Sequence, residues 1–316
     1  MHEALIMVLV ALMPGVLWAQ TPPPAAPEEI VESSTPPAEP AAPLPPETAL
    51  PAIGLLVKVE LSSGDSLRGT LVAADATVIV LELPGAGRIS LQRNTVVSVK
   101  EDKRAKAGDD GQIYRRDPNR TRYLYGPSAI GLDAGEGYVS QKEMLFTAAA
   151  YGVTDNVTVL AGTVIPVLFA GEFMGIVALK LTHTLIEDTL HVAVGSEVFI
   201  AGFADVGALG FVFGSATYGN DERHFTLTVG KPFQMDADSR ELGPAILTAS
   251  GTYRLTYRLA AVTENWLVLP DEDGDILYFN GLAARFIWDD WALDLGGIFV
   301  TDFEAPIPWL DITYNW

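Results

Sequence analysis

From Tyr123 to the end of the chain, apolar and polar residues alternate in segments of about ten residues, parted by turn-forming residues. Ala245 to Arg258 is the cleanest case. Ala245, Leu247, Ala249, Gly251, Tyr253, Leu255 and Tyr257 fall on one side of an extended chain. Thr248, Ser250, Thr252, Arg254, Thr256 and Arg258 fall on the other, and only Ile246 breaks the polar face. Successive side chains of a strand point to opposite faces, so one face of such a segment suits lipid and the other suits water. Phe225, Leu227 and Val229 against Thr226 and Thr228 repeat the split, as do Trp291, Leu293 and Leu295 against Asp294. In the last segment Leu310, Ile312, Tyr314 and Trp316 share one face, while Asp311, Thr313 and Asn315 share the other.

Connection lengths add an independent signal. Short turns are expected at Thr154–Asn156, Glu187–Asp188, Asp221–Glu222, Tyr257–Arg258 and Asp289–Asp290. Longer connections are expected at Leu132–Gly137, Ala170–Glu172, Gln234–Gly243, Pro270–Asp275 and Asp302–Pro308, with Ala201–Val206 intermediate. With a first strand near Tyr123–Leu132 this predicts an all-β fold: an antiparallel transmembrane β-barrel of about twelve strands over residues 123–316. A soluble β-sandwich also alternates, but its outward faces are polar. Here the apolar faces are continuous and aromatic. Tyr138, Trp266, Tyr278, Trp288, Trp291, Trp309 and Trp316 lie near strand ends or mid-strand, and several of them fit interfacial girdles.

The chain ahead of residue 123 is of a different kind. Ala4–Leu12 is apolar, Pro14 and Gly15 break it, and Leu17-Trp18-Ala19 precedes Gln20, so residues 1–19 read as a secretory signal despite an n-region without Lys or Arg. Residues 20–52, rich in Pro, Ala and Glu, read as an extended tether. Residues 53–102 hold about five short apolar runs separated by turns, the pattern of a small β-barrel domain. Residues 103–122 carry 7 Lys or Arg against 3 Asp and read as a basic, solvated linker, placed to meet anionic headgroups.

Composition narrows the choice of function. Mean hydropathy is +0.24 although the net charge is −20, and no apolar run after the first twenty residues is long enough for a membrane helix. There is no cysteine, which excludes disulfides, thiol nucleophiles, Cys-ligated zinc and lipoprotein acylation.

Two resemblances follow from particular residues. Val57-Lys-Val-Glu-Leu-Ser-Ser-Gly-Asp-Ser-Leu-Arg-Gly-Thr-Leu71 resembles the first motif of Sm-like domains, which implies a five-stranded Sm-like/SH3-like barrel. Arg93-Asn94 departs from the family's second motif. With 5 basic against 6 acidic residues in 53–102 there is no electrostatic footprint for nucleic acid. The segment is therefore read as a periplasmic interaction module with an unidentified partner. Asn119–Ala129, Gly135–Tyr138, Tyr151–Asn156, Glu264–Trp266 and Ile307–Asp311 resemble uncharacterised Gram-negative outer-membrane barrel proteins. The final strand resembles the C-terminal signal that the barrel-assembly machinery reads, carried by Leu310, Ile312, Tyr314 and Trp316. These likenesses imply residence in the outer membrane of a Gram-negative bacterium, in contact with lipid and lipopolysaccharide.

Strand parity nominates ionisable residues for the lumen: Lys180, Glu197, Arg254, Arg258, Glu264, Arg285, Asp294 and Asp311. Such charges form either an ion-pair network filling a narrow lumen or a charged constriction that selects solutes. From Tyr123 onward 8 basic residues face 25 acidic ones, a net of −17 that favours cations. The expected function is a narrow, cation-preferring pore or a solute-binding barrel; the alternative is a closed scaffolding barrel. His183, His191 and His224 all fall near short turns and no Ser stands at a triad spacing, so no enzyme is expected. Asp271–Asp275 crowds carboxylates without the spacing of a calcium loop, and no cofactor or metal site is expected.

Overall fold

The computed structural model describes residues 49–83, 85–107, 112–169, 171–201, 208–235, 240–269, 276–301 and 305–316. The signal segment, nearly all of the tether, and the expected loops at 202–206 and 271–275 lie outside these residues. The described chain divides into two compact units, up to Arg116 and from Asp117 onward.

The first unit contains β1 (Leu56–Leu61), β2 (Ser66–Ala74), β3 (Val78–Leu83), β4 (Gly87–Gln92) and β5 (Val96–Glu101). They form an antiparallel sheet in the order β4-β3-β2-β1-β5. The alternating residues Val57, Val59, Leu71, Ile79, Leu81, Val96 and Val99 make its core. Arg93, in the motif position that departs from the Sm pattern, is buried and donates to the Asp75 carbonyl at 3.1 Å. The Asp75 carboxylate accepts from the Thr77 and Val78 N–H groups at 2.7 and 2.8 Å, bonds that hold its carboxyl below the usual range. Part of the supposed linker is ordered: β6 (Ala105–Ala107) pairs with β7 (Ile113–Arg115).

The second unit is a closed antiparallel barrel of twelve strands. It runs β8 (Gly137–Lys142), β9 (Phe146–Thr154), β10 (Val157–Val164), β11 (Met174–Ile186), β12 (Leu190–Ala201), β13 (Ala208–Asn220) and β14 (Arg223–Met235). The short β15 (Arg240–Leu242) only extends β14. Then follow β16 (Ile246–Thr256), β17 (Leu259–Val268), β18 (Leu277–Ile287), β19 (Trp291–Val300) and β20 (Ile307–Asn315). Pairing of β20 with β8 closes the cylinder, and the Trp316 ring lies against Gly137, where a Cβ would fall 2.3 Å from it. Closure leaves no open sheet edge in the wall, the condition for strands to cross a membrane.

Parity sorts the faces as expected. On β14, Phe225, Leu227 and Val229 are exposed outward, while Thr226 and Thr228 are buried in the lumen. On β20, Ile312, Tyr314 and Trp316 face out, and Asp311, Thr313 and Asn315 face in. The five expected short turns and the C-terminus share one end of the barrel, and so does Leu132–Gly137, expected among the longer connections: the Gly137 N–H donates to the Trp316 carbonyl at 3.3 Å. The short helix α1 (Ile165–Phe169) and the turn between β8 and β9 lie at the other end. Tyr278, Trp288, Trp291 and Trp316 are exposed on the outer face, but Trp309 and Tyr138 are buried inside and Trp266 lines the lumen, so these three do not belong to a girdle.

The strand count is right for a reason different from the expected one. Tyr123–Leu132 is not a barrel strand, because its residues are buried within the lumen. The missing strand comes from a turn inside the expected long segment after Gly137: Glu143 and Met144 have φ of +54° and +58° and split it into β8 and β9. Hairpin turns with two positive φ values normally carry Asn or Gly. Lys142-Glu143-Met144-Leu145 has neither, so nothing local announces the turn.

Candidate functional site

The lumen is occupied by the chain's own residues 117–132. This segment enters at the short-turn end, where the Asp117 N–H donates to Glu222 at 3.2 Å. It reaches its deepest point at Leu124–Gly126 and returns, so that the Ala129 N–H donates to Thr217 Oγ1 at 2.8 Å and the Leu132 N–H to Thr158 Oγ1 at 3.3 Å. Pro118, Gly126 and Pro127 prevent it from extending as a strand, and an Arg122–Pro127 bridge closes its tip. With strand pairing impossible over most of its length, its backbone groups must find partners among lumen side chains.

Those partners are the ionisable residues. Arg285, Asp294, Asp311 and Lys142 stand directly opposite one another across β18, β19, β20 and β8, forming one row of charge around the inner wall. The adjacent carboxylates of Asp294 and Asp311 would repel each other. Arg285 holds the first through two bonds of 2.8 and 2.9 Å, and Arg122 of the inserted segment holds the second at 2.6 Å. Arg285 also donates to Asp117 at 3.1 Å and to the Asn119 and Tyr123 carbonyls at 3.2 and 3.1 Å. All five of its N–H groups are thereby used, with no solvent exposure.

Glu264 works in the opposite sense. Its carboxylate accepts from the consecutive N–H groups of Leu124, Tyr125 and Gly126 at 2.9, 3.2 and 3.0 Å, and from Trp266 Nε1 at 2.6 Å. Successive backbone N–H groups make an anion-binding concavity, filled here by a residue of the wall. Lys180 donates to the Thr121, Ser128 and Ile130 carbonyls at 3.0, 3.0 and 2.7 Å. Lys142 donates to the Leu124 carbonyl at 2.6 Å. At the short-turn end Arg254 pairs with Glu222 at 3.0 Å, and Arg120 pairs with Glu136. Burial pushes the Glu222 carboxyl up to about 7 against the pull of Arg254.

The inserted segment leans on one wall. Tyr123 and Leu124 pack with Val262, Phe279, Ala283, Ile298 and Trp309 of β17–β20. Between the segment and β9–β14 there remains a cavity of about 220 Å³. Its wall is largely apolar, including Ile176, Phe199, Phe211 and Phe213, with Trp266 at one side and Glu197 among them. Phe213 lies across Gly195 and Phe211 across Gly230, where a Cβ would fall 2.4 and 2.3 Å from each ring. The two glycines let the rings lie close against the wall.

Of the nominated lumen residues, Lys180, Arg254, Glu264, Arg285, Asp294 and Asp311 are buried inside and engaged with the segment or its partners. Glu197 faces the cavity. Arg258 does not line the lumen: it is exposed on the Tyr257–Arg258 turn, where strand parity no longer applies. Asp117, Arg120, Arg122 and Lys142 were not nominated. Lys142 was recoverable from parity with Tyr138 and Ser140; the others sit in the segment read as a solvated linker. Asp117 to Arg122 are instead within the barrel, and Arg120 and Arg122 are only 3% and 5% exposed. Among the described residues no group of His, Asp or Glu is placed to hold a metal ion.

An apolar belt outside and ionised, hydrogen-bonded residues inside invert the arrangement of a soluble protein. They define a transmembrane β-barrel of the outer-membrane class. No protein-family model and no curated protein matches the chain. Among solved structures it is similar to the KdgM porin, also solved in complex with disordered oligogalacturonate, at TM-score 0.40 and 7% identity over 57% of this chain and 95% of that one. It is also similar to the NanC porin, at TM-score 0.38 and 9% identity over 58% and 98% of the two chains. OmpT, an outer membrane protein of Vibrio cholerae, matches at TM-score 0.33 and 11% identity over 83% and 96%. Likeness at this level carries no solute and no residue role across.

Proposed function

We propose that this protein is an outer-membrane barrel that binds a solute in the half of its lumen bordered by β9–β14, with residues 117–132 restricting passage through the other half. The observation that carries this reading is the cavity of about 220 Å³ left beside the inserted segment. A scaffold needing only stability would gain from a filled interior, since empty space in a packed core is destabilising. The acidic balance of the barrel favours cationic solutes. The five-stranded unit acts in the periplasm as an interaction module. Supporting this, the chain enters the barrel at the end with short turns, which in barrels of this class is the periplasmic end.

Single-channel recording of the full chain and of a variant lacking residues 117–132 tests the reading. The intact protein is expected to pass small currents, and the deletion several-fold larger, cation-selective ones. A deletion variant that folds but shows no current above the bilayer background would overturn it in favour of a closed scaffold.

A further inference from the structure

Every cationic group at the cavity is already engaged. Lys180 spends its three N–H donors on three carbonyls of the inserted segment. Lys142 is held by the Leu124 carbonyl and lies 3.6 Å from Asp311, over the rings of Tyr125 and Trp309. The Nη1 and Nη2 atoms of Arg122 are bonded to Asp311 and Thr313. Each of these three side chains thus already has an acceptor of the protein's own.

The carboxylate of Glu197 is the opposite case. It projects from β12 into the cavity, directly opposite Phe211 of β13 and two residues from Phe199 on the same face. The Arg285, Asp294, Asp311 and Glu264 side chains all hydrogen-bond to the inserted segment or to one another, but Glu197 has no hydrogen bond or ion pair among the described residues. A half-buried carboxylate in an apolar wall lacks the partner that such a group ordinarily requires. Aromatic faces beside it add attraction for positive charge.

We propose that the cavity is a binding site for an apolar amine, with a hydrocarbon or aryl body against Phe199, Phe211 and Phe213 and an ammonium group on Glu197. The inference rests on the solute-binding reading above and names the chemical class of the solute. Lys142 and Lys180 exert a coulombic pull on Glu197 but donate no hydrogen bond to it; the ammonium supplies those N–H donors, and the ring faces exclude water from the pair.

The test is calorimetric titration of the full chain, folded in detergent, with 2-phenylethylammonium, 2-phenylethanol and phenylacetate. These probes share an apolar body and differ in the head group. The amine is expected to bind at least about 10-fold more tightly than the other two, because a charge-assisted bond to a buried carboxylate is made only by the amine. Glu197→Gln is expected to remove that preference while leaving the alcohol's affinity unchanged. Equal binding of all three, or a preference that survives Glu197→Gln, overturns the amine inference and leaves the solute pocket standing. No saturable binding by any of the three overturns both. The three-probe comparison on the unaltered chain needs no variant to fold.

Discussion

Replacing Arg285 by Met removes the group on which the inserted segment depends most. The side chain is wholly buried and bonded to Asp294, Asp117 and the Asn119 and Tyr123 carbonyls. Met fills similar volume but leaves Asp294 and Asp117 without this partner. Breaking a buried ion pair by removing one member costs roughly 3–5 kcal/mol. The bonds to Asp117 and to the Asn119 and Tyr123 carbonyls join the wall to residues 117–132, so that share of the cost falls on docking. At 1.4 kcal/mol for each factor of ten, the undocked population rises by roughly two to three and a half decades. Trypsin provides the assay, because Arg120 and Arg122 are shielded when the segment is docked. Cleavage there follows the open population when reclosing is fast. Arg285→Met is expected to speed cleavage after these residues by at least about 100-fold while the barrel keeps its heat-modifiable band. Asp117→Asn, a milder change at the segment's own side of the contact, should give a smaller effect in the same direction. A cleavage rate unchanged in both variants would refute the view that this pair holds the segment in place.

Three further outcomes are expected. Val229→Arg, at the middle of β14 on its outer face, should destabilise the folded barrel by about 2–4 kcal/mol in urea titration in lipid, the cost of a cation at the bilayer midplane; a neutral effect would contradict the lipid-facing assignment. With its carboxyl raised from 4.5 to about 7, Glu222 binds a proton more readily folded than unfolded across that window. Stability should therefore fall as pH rises from about 4.5 to about 7 and level off above, and Glu222→Gln should flatten this component; the opposite slope would refute the burial argument. Removing residues 53–101 should leave barrel assembly intact by heat-modifiable migration, and loss of the folded band would show that the five-stranded unit is needed for assembly.

The barrel was legible because its determinants are local. Ala245–Arg258 declares its two faces through side-chain alternation alone, and the five short turns carry Asp, Asn or Arg between alternating segments. Ile246, the one exception in that run, faces the lumen and helps line the cavity, so even the breach obeyed parity. What was not legible depends on distant partners. Asp117, Arg120 and Arg122 read as solvated because their neighbours in sequence are polar, whereas their acidic and basic partners lie up to 189 residues away. Trp309 and Tyr138 suit a girdle by residue type, yet their strand positions put them inside beside Lys142 and Arg122. The Glu143–Met144 turn has positive φ values that its residues do not advertise. Among the nominated residues, parity failed only at Arg258, on a turn.

Residues 117–132 lie inside the barrel, and a cysteine pair tests that placement most directly. The natural chain contains no cysteine, so Ala129→Cys with Thr217→Cys introduces the only two thiols. The Ala129 N–H lies 2.8 Å from Thr217 Oγ1, which brings the two positions within reach of a disulfide. Mild oxidation of the folded protein should cross-link nearly all molecules, and oxidation in denaturant far fewer. Thiols that stay free in the folded protein and react readily with a membrane-impermeant maleimide would place the segment outside the lumen and contradict its burial there.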